Sequence, residues 1–435
     1  MKLSLFPKLF TSALLVCALA ATTAPAHATA TTPSFAVFDK RAKAGEHLTV
    51  VFFGCSLTWG ANASDPQLTS YRADVAQDLT DYYPNAHFTF RDAAIGGTNS
   101  QLGVFRCQRD VLDHNPDLVF LDFAANDDVY TLDPETMASY ESLVRRILLG
   151  AHCPIEQVIF PFKYNIKPGE MDHMKGRDAK IALAAVYNLA TGDAIKPVYD
   201  DVLGGTIGIN TVWPFDGAHP GDKGYALFSQ AVWSSYLAAV KAKLVCKVPD
   251  HMVYADTYMN WARVPISTLG TLPAGWRIGL PYRTSAWYDG LMSRWLGPEA
   301  IASSNMPPPP DDHSYTNTTP PAPLTVTFHG SMVFLFGEET IHSGQYHVYI
   351  DGVPATRKID NKGDTSPIFD PNSAKMGGTR QHAQVIATGL DPSVVHTLKI
   401  EPVFDPTIPQ ELRIESICVA GGPAGVGPIV PNPSN

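Results

Sequence analysis

The sequence has no run of like charges and no basic patch: 32 Lys and Arg stand against 42 Asp and Glu, a net charge of −10. Nucleic-acid partners need a Lys/Arg surface that neutralises phosphates, so this acidic chain argues against them. Cysteine is sparse, six in 435 residues, and no Cys-x-x-Cys pair occurs, which argues against a structural zinc site. Long apolar runs are missing except at the N-terminus, where Lys2 and Lys8 flank or precede "LFTSALLVCALAA" and Ala26-His27-Ala28 follows. That layout predicts a cleaved signal peptide over residues 1–28, because the apolar stretch is short for a membrane span and is followed by Pro25. Cys17 follows bulky Val16 and makes a poor lipid-acceptor cysteine. Without residues 1–28 the charge becomes −12, and five cysteines remain: Cys55, Cys107, Cys153, Cys246 and Cys418. Export permits disulfides, but an odd number leaves at least one thiol unpaired. No remaining segment is apolar enough to insert stably in a membrane, and no internal repeat is evident.

What is present falls into two halves. Strand-like runs lie at 48–54 (LTVVFFG), 87–93 (HFTFRDA), 118–124 (LVFLDFA) and 157–162 (QVIFPF), with a weaker one near Pro197–Tyr199. They alternate with helical patterns near 70–82, 103–114, 136–149, 178–190 and 222–243, which predicts a parallel sheet covered on both faces. After about residue 250, Pro, Thr and Gly rise. Alternating runs appear there: LTVTFHG, SMVFLFG, QYHVYIDG, VVHTLKIEPV and ELRIESICVAG. These predict a smaller antiparallel β-sandwich, with strand-turn-strand signals at YIDG and FHGSM. The expected organisation is a signal peptide at 1–28, an α/β domain at 29–248, a sandwich at 249–422 containing a Pro-rich loop at 306–323, and a flexible tail at 423–435.

Ligand sites of such parallel sheets lie outside the carboxyl ends of the strands, and Ser56 follows the first strand there in "GCSLTWG". A serine hydroxyl is a weak nucleophile until a base takes its proton, and the base needs an orienting carboxylate. The developing oxyanion needs fixed donors. Three further stretches at the same edge supply candidates. "RDAAIGGTNSQLG" offers backbone N–H groups at a glycine pair, although two glycines also suit a plain turn. "LVFLDFAANDD" offers the Asn126 amide, although an Asn at a strand end also serves as a turn or helix cap. "WPFDGAHPGDKGY" offers Asp216 and His219 three residues apart in one loop, a spacing that sets a carboxylate beside one ring nitrogen and frees the other.

Ser56, Gly97, Asn126 and His219, with Asp216, resemble the motif blocks of the SGNH (GDSL-type) serine hydrolases over roughly residues 47–242. The resemblance implies a flavodoxin-like three-layer α/β/α sandwich with a parallel sheet. It implies an esterase that works without metal or organic cofactor. Ser56 is then the nucleophile, His219 the base and later the acid, and Asp216 the orienting carboxylate. The N–H groups of Ser56 and Gly97, with the Asn126 side chain, form the oxyanion hole. Gly97 is preferred to Gly96 because I-G-G-T-N-S aligns with the family's I-x-G-x-x-S. Two departures stand out. Cys55 replaces the signature Asp before the nucleophile, as a buried thiol or as a partner of Cys107. Ala125 replaces the Gly before Asn-Asp.

The longer pattern from Ile95 through Leu112 to Phe120 is similar to carbohydrate-esterase-like members, which often carry a β-sandwich. This implies removal of a small acyl group, acetyl first, from an exported polysaccharide or sugar. Trp59, Tyr130 and Trp213 lie near the motif blocks as candidate sugar-stacking residues, with filling of the core or loops as the alternative. Arg106 and Arg109 are read as a solvated helix face or as ion pairs with nearby acids such as Asp110 and Asp113, with binding of an anionic substrate as the alternative. A lipid esterase or thioesterase, an acyltransferase, and an inactive polysaccharide-binding scaffold remain as alternatives.

Overall fold

The computed structural model describes residues 32–282, 294–304, 319–359, 363–376 and 378–432. The expected signal peptide and most of the Pro-rich loop lie outside the described residues. The first domain is built on five parallel strands: β1 (His47–Gly54), β2 (His87–Ala94), β3 (Leu118–Asp122), β4 (Ile155–Ile159) and β5 (Ala190–Asp193), in the order 2-1-3-4-5. This is the doubly wound order expected of a flavodoxin-like fold. Valines and phenylalanines fill β1 and β3 because both faces of these strands are covered.

Among the described residues nine helices flank the sheet: α1 (Phe35–Lys43), α2 (Ser56–Trp59), α3 (Tyr71–Tyr82), α4 (Ser100–Asp110), α5 (Pro134–Ala151), α6 (Lys175–Tyr187), α7 (Ile195–Leu203), α8 (Ile209–Val212) and α9 (Asp222–Lys241). Successive strand side chains point to opposite faces. Phe52 accordingly meets Tyr71 of α3, while Phe53 meets Arg106 of α4, 4.4 Å from ring centre to guanidinium. Several helix starts are legible in the sequence: Ser70 accepts the N–H of Ala73, Asn99 that of Leu102, and Asp133 that of Thr136 just before Pro134.

The weak strand expected near Pro197–Tyr199 is instead part of α7, and the fifth strand is Ala190–Asp193. Its sequence, Ala-Thr-Gly-Asp, carries no apolar run, so periodicity could not reveal it. Pro197 is tolerated where it lies because the first helical turn needs no N–H there.

The second domain packs two antiparallel sheets. One runs Arg380–Ala387, Met332–Glu339, Glu411–Ala420, Glu299–Ser303, Trp276–Gly279, with Trp261–Pro265 on the far half of Glu411–Ala420. The other contains Gln345–Ile350, His396–Val403, Leu324–His329 and Gly425–Ile429. The expected hairpin at YIDG forms, pairing Ile350 with Val353. The turn at FHGSM carries the chain from one sheet to the other. The expected flexible tail is corrected by the strand Gly425–Ile429, held at its end by the N–H of Ile429 on the Leu269 carbonyl and that of Val430 on the Thr325 carbonyl.

Residues 249–260 run across α5. The N–H groups of Val253 and Tyr254 reach the Glu141 carboxylate, and Arg146 reaches the Tyr258 carbonyl. The two domains then share a core. In the strand Met332–Glu339, Val333 and Leu335 face the sandwich interior, whereas Met332, Phe334 and Phe336 join the core of the first domain. Phe105 of α4 meets both Trp261 and Phe334 there.

Candidate active site

Gly54, Ala94 and Asp122 lie level across the sheet, since the register pairs Gly54 with both. Ser56, Gly97 and Asn126 follow these three strand ends within a few residues, so one edge gathers all three loops. Gly54 is required by close approach: a Cβ there would lie 2.7 Å from the Asp122 carbonyl oxygen. Cys55 is extended, and Ser56 opens α2. Beneath it, Thr58 donates to Asp122 Oδ2 at 2.7 Å and meets the Tyr71 hydroxyl at 3.0 Å, and the Cys55 thiol points at the same carboxylate oxygen at 3.7 Å. This buried network ties the serine turn to β3. Burial pushes Asp122 up to about 7, against the hydrogen bonds from Thr58 and Cys55 that favour its ionised form. Burial, with the Asp122 charge, pushes the Cys55 thiol well above its ordinary range, so it rests as a thiol. All five described cysteines are free and buried, which corrects the alternative of a Cys55–Cys107 bridge.

His219 comes from the loop between α8 and α9. Its Nε2 lies 2.9 Å from Ser56 Oγ, and its Nδ1 lies 3.0 Å from Asp216 Oδ2. With the Nδ1 proton directed at Asp216, Nε2 is left to accept the serine proton. Asp216 Oδ1 accepts the N–H groups of Ala218 and His219, each at 2.7 Å, which fixes the loop as an Asx turn. Partial burial works to raise the Asp216 pKa. The hydrogen bonds from the His219 backbone and ring and from Ala218 outweigh it and hold the carboxyl below the usual range.

Gly97 has φ +71°, a left-handed conformation that glycine accommodates without strain, and nothing lies within 4 Å of where a Cβ would stand. Its surroundings are therefore open. Asn126 donates one amide hydrogen to the Thr98 carbonyl at 2.9 Å and so links the second and third loops. The next residue, Asp127, is buried and accepts the Ser100 N–H at 2.8 Å, with Lys180 Nζ 3.4 Å away. Burial raises the Asp127 pKa and the Lys180 ammonium opposes it. This buried pair braces the Asn126 loop, and no local pattern points to it because Lys180 comes from α6.

Of the three candidate stacking residues, Trp59 and Tyr130 are half-buried at the surface. Trp213 is 1% exposed and packs edge-on against Phe228, so it serves the core and presents no face to a sugar. Phe215, one residue before Asp216, is 75% exposed, and Tyr164 is 49% exposed. The Lys163 N–H donates to the Gly217 carbonyl at 2.8 Å, which joins the Tyr164 turn to the His219 loop. Phe215 lies in the same string "WPFD" as Trp213, but no local signal distinguishes the exposed ring from the buried one.

Arg106 corrects the solvated-face expectation. It is wholly buried, donates to the carbonyls of Ala93 at 2.6 Å and Gly54 at 2.7 Å, and pairs with Asp110. It thereby clamps the ends of β1 and β2. Arg109 pairs with Asp110 as expected and also reaches the Trp295 carbonyl. Asn62, which the sequence did not single out, donates to Asp216 Oδ2 at 2.8 Å.

Residues 52–227 match the model of the GDSL-like Lipase/Acylhydrolase family. The whole fold is similar to the crystal structure of a two-domain esterase (CEX) active on acetylated mannans, co-crystallized with mannopentaose. The identity is 23% and the TM-score 0.68, covering 90% of this chain and 96% of that one. A second structure of a two-domain esterase (CEX) active on acetylated mannans gives 21% identity and a TM-score of 0.66 over 91% and 98% of the two chains. Axe2, an acetylxylan esterase from Geobacillus stearothermophilus, is similar over 43% of this chain and 94% of its own, at 20% identity and a TM-score of 0.36. No curated protein matches the sequence.

Proposed function

We propose that this serine ester hydrolase, whose residues 52–227 match the GDSL-like lipase/acylhydrolase family, removes small acyl groups, acetyl first, from a carbohydrate outside the cytoplasm. The observation that carries this reading is the continuous relay from Asp216 through His219 to Ser56, with both contacts at or below 3.0 Å. Ser56 Oγ attacks the acyl carbonyl while His219 Nε2 takes its proton. Negative charge then gathers on the carbonyl oxygen, stabilised by the N–H groups of Ser56 and Gly97 and by the Asn126 amide. Collapse breaks the ester bond, and His219 returns the proton to the departing sugar oxygen. Water, deprotonated by His219, attacks the acyl-serine and releases the carboxylic acid and free Ser56. Asp216 keeps the imidazole in the productive tautomer and favours its protonated form during each step.

The carbohydrate acceptor is supported by the likeness to the esterase active on acetylated mannans and by the exposed rings of Phe215 and Tyr164 beside the relay. Such rings stack on the C–H faces of sugars. Export rests on the charge and apolar pattern of residues 1–28.

The test is hydrolysis of p-nitrophenyl acetate, butyrate and octanoate, with Ser56→Ala as blank. The expected outcome is a steep fall in kcat/KM with acyl length, followed by acetate release from acetylated mannan or xylan. Rates that rise with acyl length would move the substrate to lipid esters. No Ser56-dependent rate on any of them would overturn the hydrolytic reading.

A further inference from the structure

We propose that Asn62 is a positioning residue of this site. Its amide holds the Asp216 carboxylate against the His219 ring and through it aims the imidazole at Ser56. The inference rests on the relay assigned above and adds a residue to it.

Asp216 is 40% exposed in its side chain, unlike a carboxylate locked in a core. One oxygen is held by its own loop, through the N–H groups of Ala218 and His219. The other, Oδ2, faces His219 Nδ1 at 3.0 Å, and Asn62 Nδ2 donates to that same atom at 2.8 Å. A half-exposed carboxylate turns toward water unless a second donor fixes its plane. Asn62 supplies that donor from a segment 154 residues away, and its amide also lies 3.3 Å from the His219 carbonyl oxygen. A neutral amide does this without adding a second cation to compete with the imidazolium.

The backbone around Asn62 is built to hold it. Its φ is +68°, in the left-handed region that asparagine tolerates better than most residues. On one side the Tyr225 hydroxyl donates to the Ala61 carbonyl at 2.7 Å. On the other, Asp222 accepts the Ser64 N–H and hydroxyl, each at 2.7 Å, and the Thr69 hydroxyl at 2.8 Å. Tyr225 and Asp222 both lie in the first turn of α9, immediately after the His219 loop. The Asn62 loop and the histidine loop are therefore mounted on one helix end, so their relative position is fixed independently of substrate.

The test uses Asn62→Gly, which accepts the positive φ and removes only the side chain, and Asn62→Asp, which keeps the size and replaces the donor with a like charge. Each is made in the wild-type and Asp216→Ala backgrounds, with Ser56→Ala as control. We expect Asn62→Gly to lower kcat on p-nitrophenyl acetate about ten- to hundredfold with KM within about twofold, as for loss of one hydrogen bond to a charged group. Asn62→Asp should lose at least as much. In Asp216→Ala the same changes should have little further effect on kcat. Wild-type kcat in Asn62→Asp, or losses that add in full to that of Asp216→Ala, would overturn the proposal and leave the relay standing. Activity surviving in Ser56→Ala would instead overturn the relay itself.

Discussion

Two described histidines of this chain stand between a carboxylate and a hydroxyl. His219 lies 3.0 Å from Asp216 and 2.9 Å from Ser56; His382, in the sandwich, lies 3.1 Å from Glu339 and 2.6 Å from the Tyr346 hydroxyl. The contact lists are nearly interchangeable, yet the surroundings differ in each respect that chemistry needs. Tyr346 is fully buried under Phe369, and burial together with the Glu339 charge holds its hydroxyl proton far more tightly than usual. Glu339 is shared with Arg380, and its carboxyl is kept low by His382 and Arg380 against the upward pull of burial. Tyr346 belongs to one sheet, whereas His382 and Glu339 belong to the other, so the second cluster pins the sandwich together. Ser56 instead sits at a strand edge beside the open Gly97 turn and the Asn126 amide. An acid–imidazole–hydroxyl relay is thus insufficient for a site; on the mechanism proposed above, donors for the incoming charge distinguish the two.

That contrast can be broken most sharply by matched substitutions. Ser56→Ala and His219→Ala should each lower kcat on p-nitrophenyl acetate by roughly 10⁴–10⁶-fold, with Asp216→Asn costing less. His382→Ala should leave kcat within about twofold yet lower unfolding free energy by about 1–3 kcal/mol, because it leaves the buried Tyr346 hydroxyl without its partner, while Glu339 keeps Arg380. A large kcat loss in His382→Ala, at unchanged stability, would erase the distinction. Next in size, Asn126→Ala should lower kcat by roughly 10²–10³-fold, as expected for one oxyanion donor. An effect confined to KM would make Asn126 a binding residue.

The last expected effect, on stability and not on rate, concerns the buried support under Ser56. Burial raises Asp122 to about 7, so the folded state holds this proton more tightly than the unfolded chain does. Its contribution is therefore most favourable below about pH 4, and stability falls as pH rises from about 4 to about 7, at roughly 1.4 kcal/mol per unit. Urea denaturation across that range should show the wild type losing stability relative to Asp122→Asn by that slope, the other buried carboxylates, Asp127 and Glu156 among them, contributing equally to both proteins. Parallel curves for the two proteins would show that Asp122 ionises in the native state as it does in the unfolded one.

Much of the relay was legible because its residues occupy strand-edge loops marked by short, specific strings, "GCSLT", "IGGTNS", "AAND" and "DGAHP". Four of the five parallel strands were legible as apolar runs. The fifth, Ala-Thr-Gly-Asp, was not, since Gly192 is small for a packing reason: a Cβ there would lie 2.9 Å from the Val232 Cα. In the sandwich, the five runs with clear alternation or length emerged as strands. Trp261–Pro265, Trp276–Gly279 and Glu299–Ser303 did not announce themselves, being short segments whose pairing with longer neighbours supplies the order.

Sequence by itself determined the α/β order of the first half and the β character of the second, because periodicity is a local property of the chain, and its motif strings named the candidates for the proposed relay through their resemblance to a known family. Tertiary structure alone decided which similar residues face water. It buried Trp213 and left Phe215 exposed, placed Arg106 across the ends of two strands, and set Lys180 beneath Asp127. It also brought Asn62 to Asp216 and turned one face of the strand Met332–Glu339 into the core of the first domain. The physical reason is common to all of these: burial and hydrogen-bond partners belong to surfaces assembled from distant segments, and no local pattern encodes which segment will arrive.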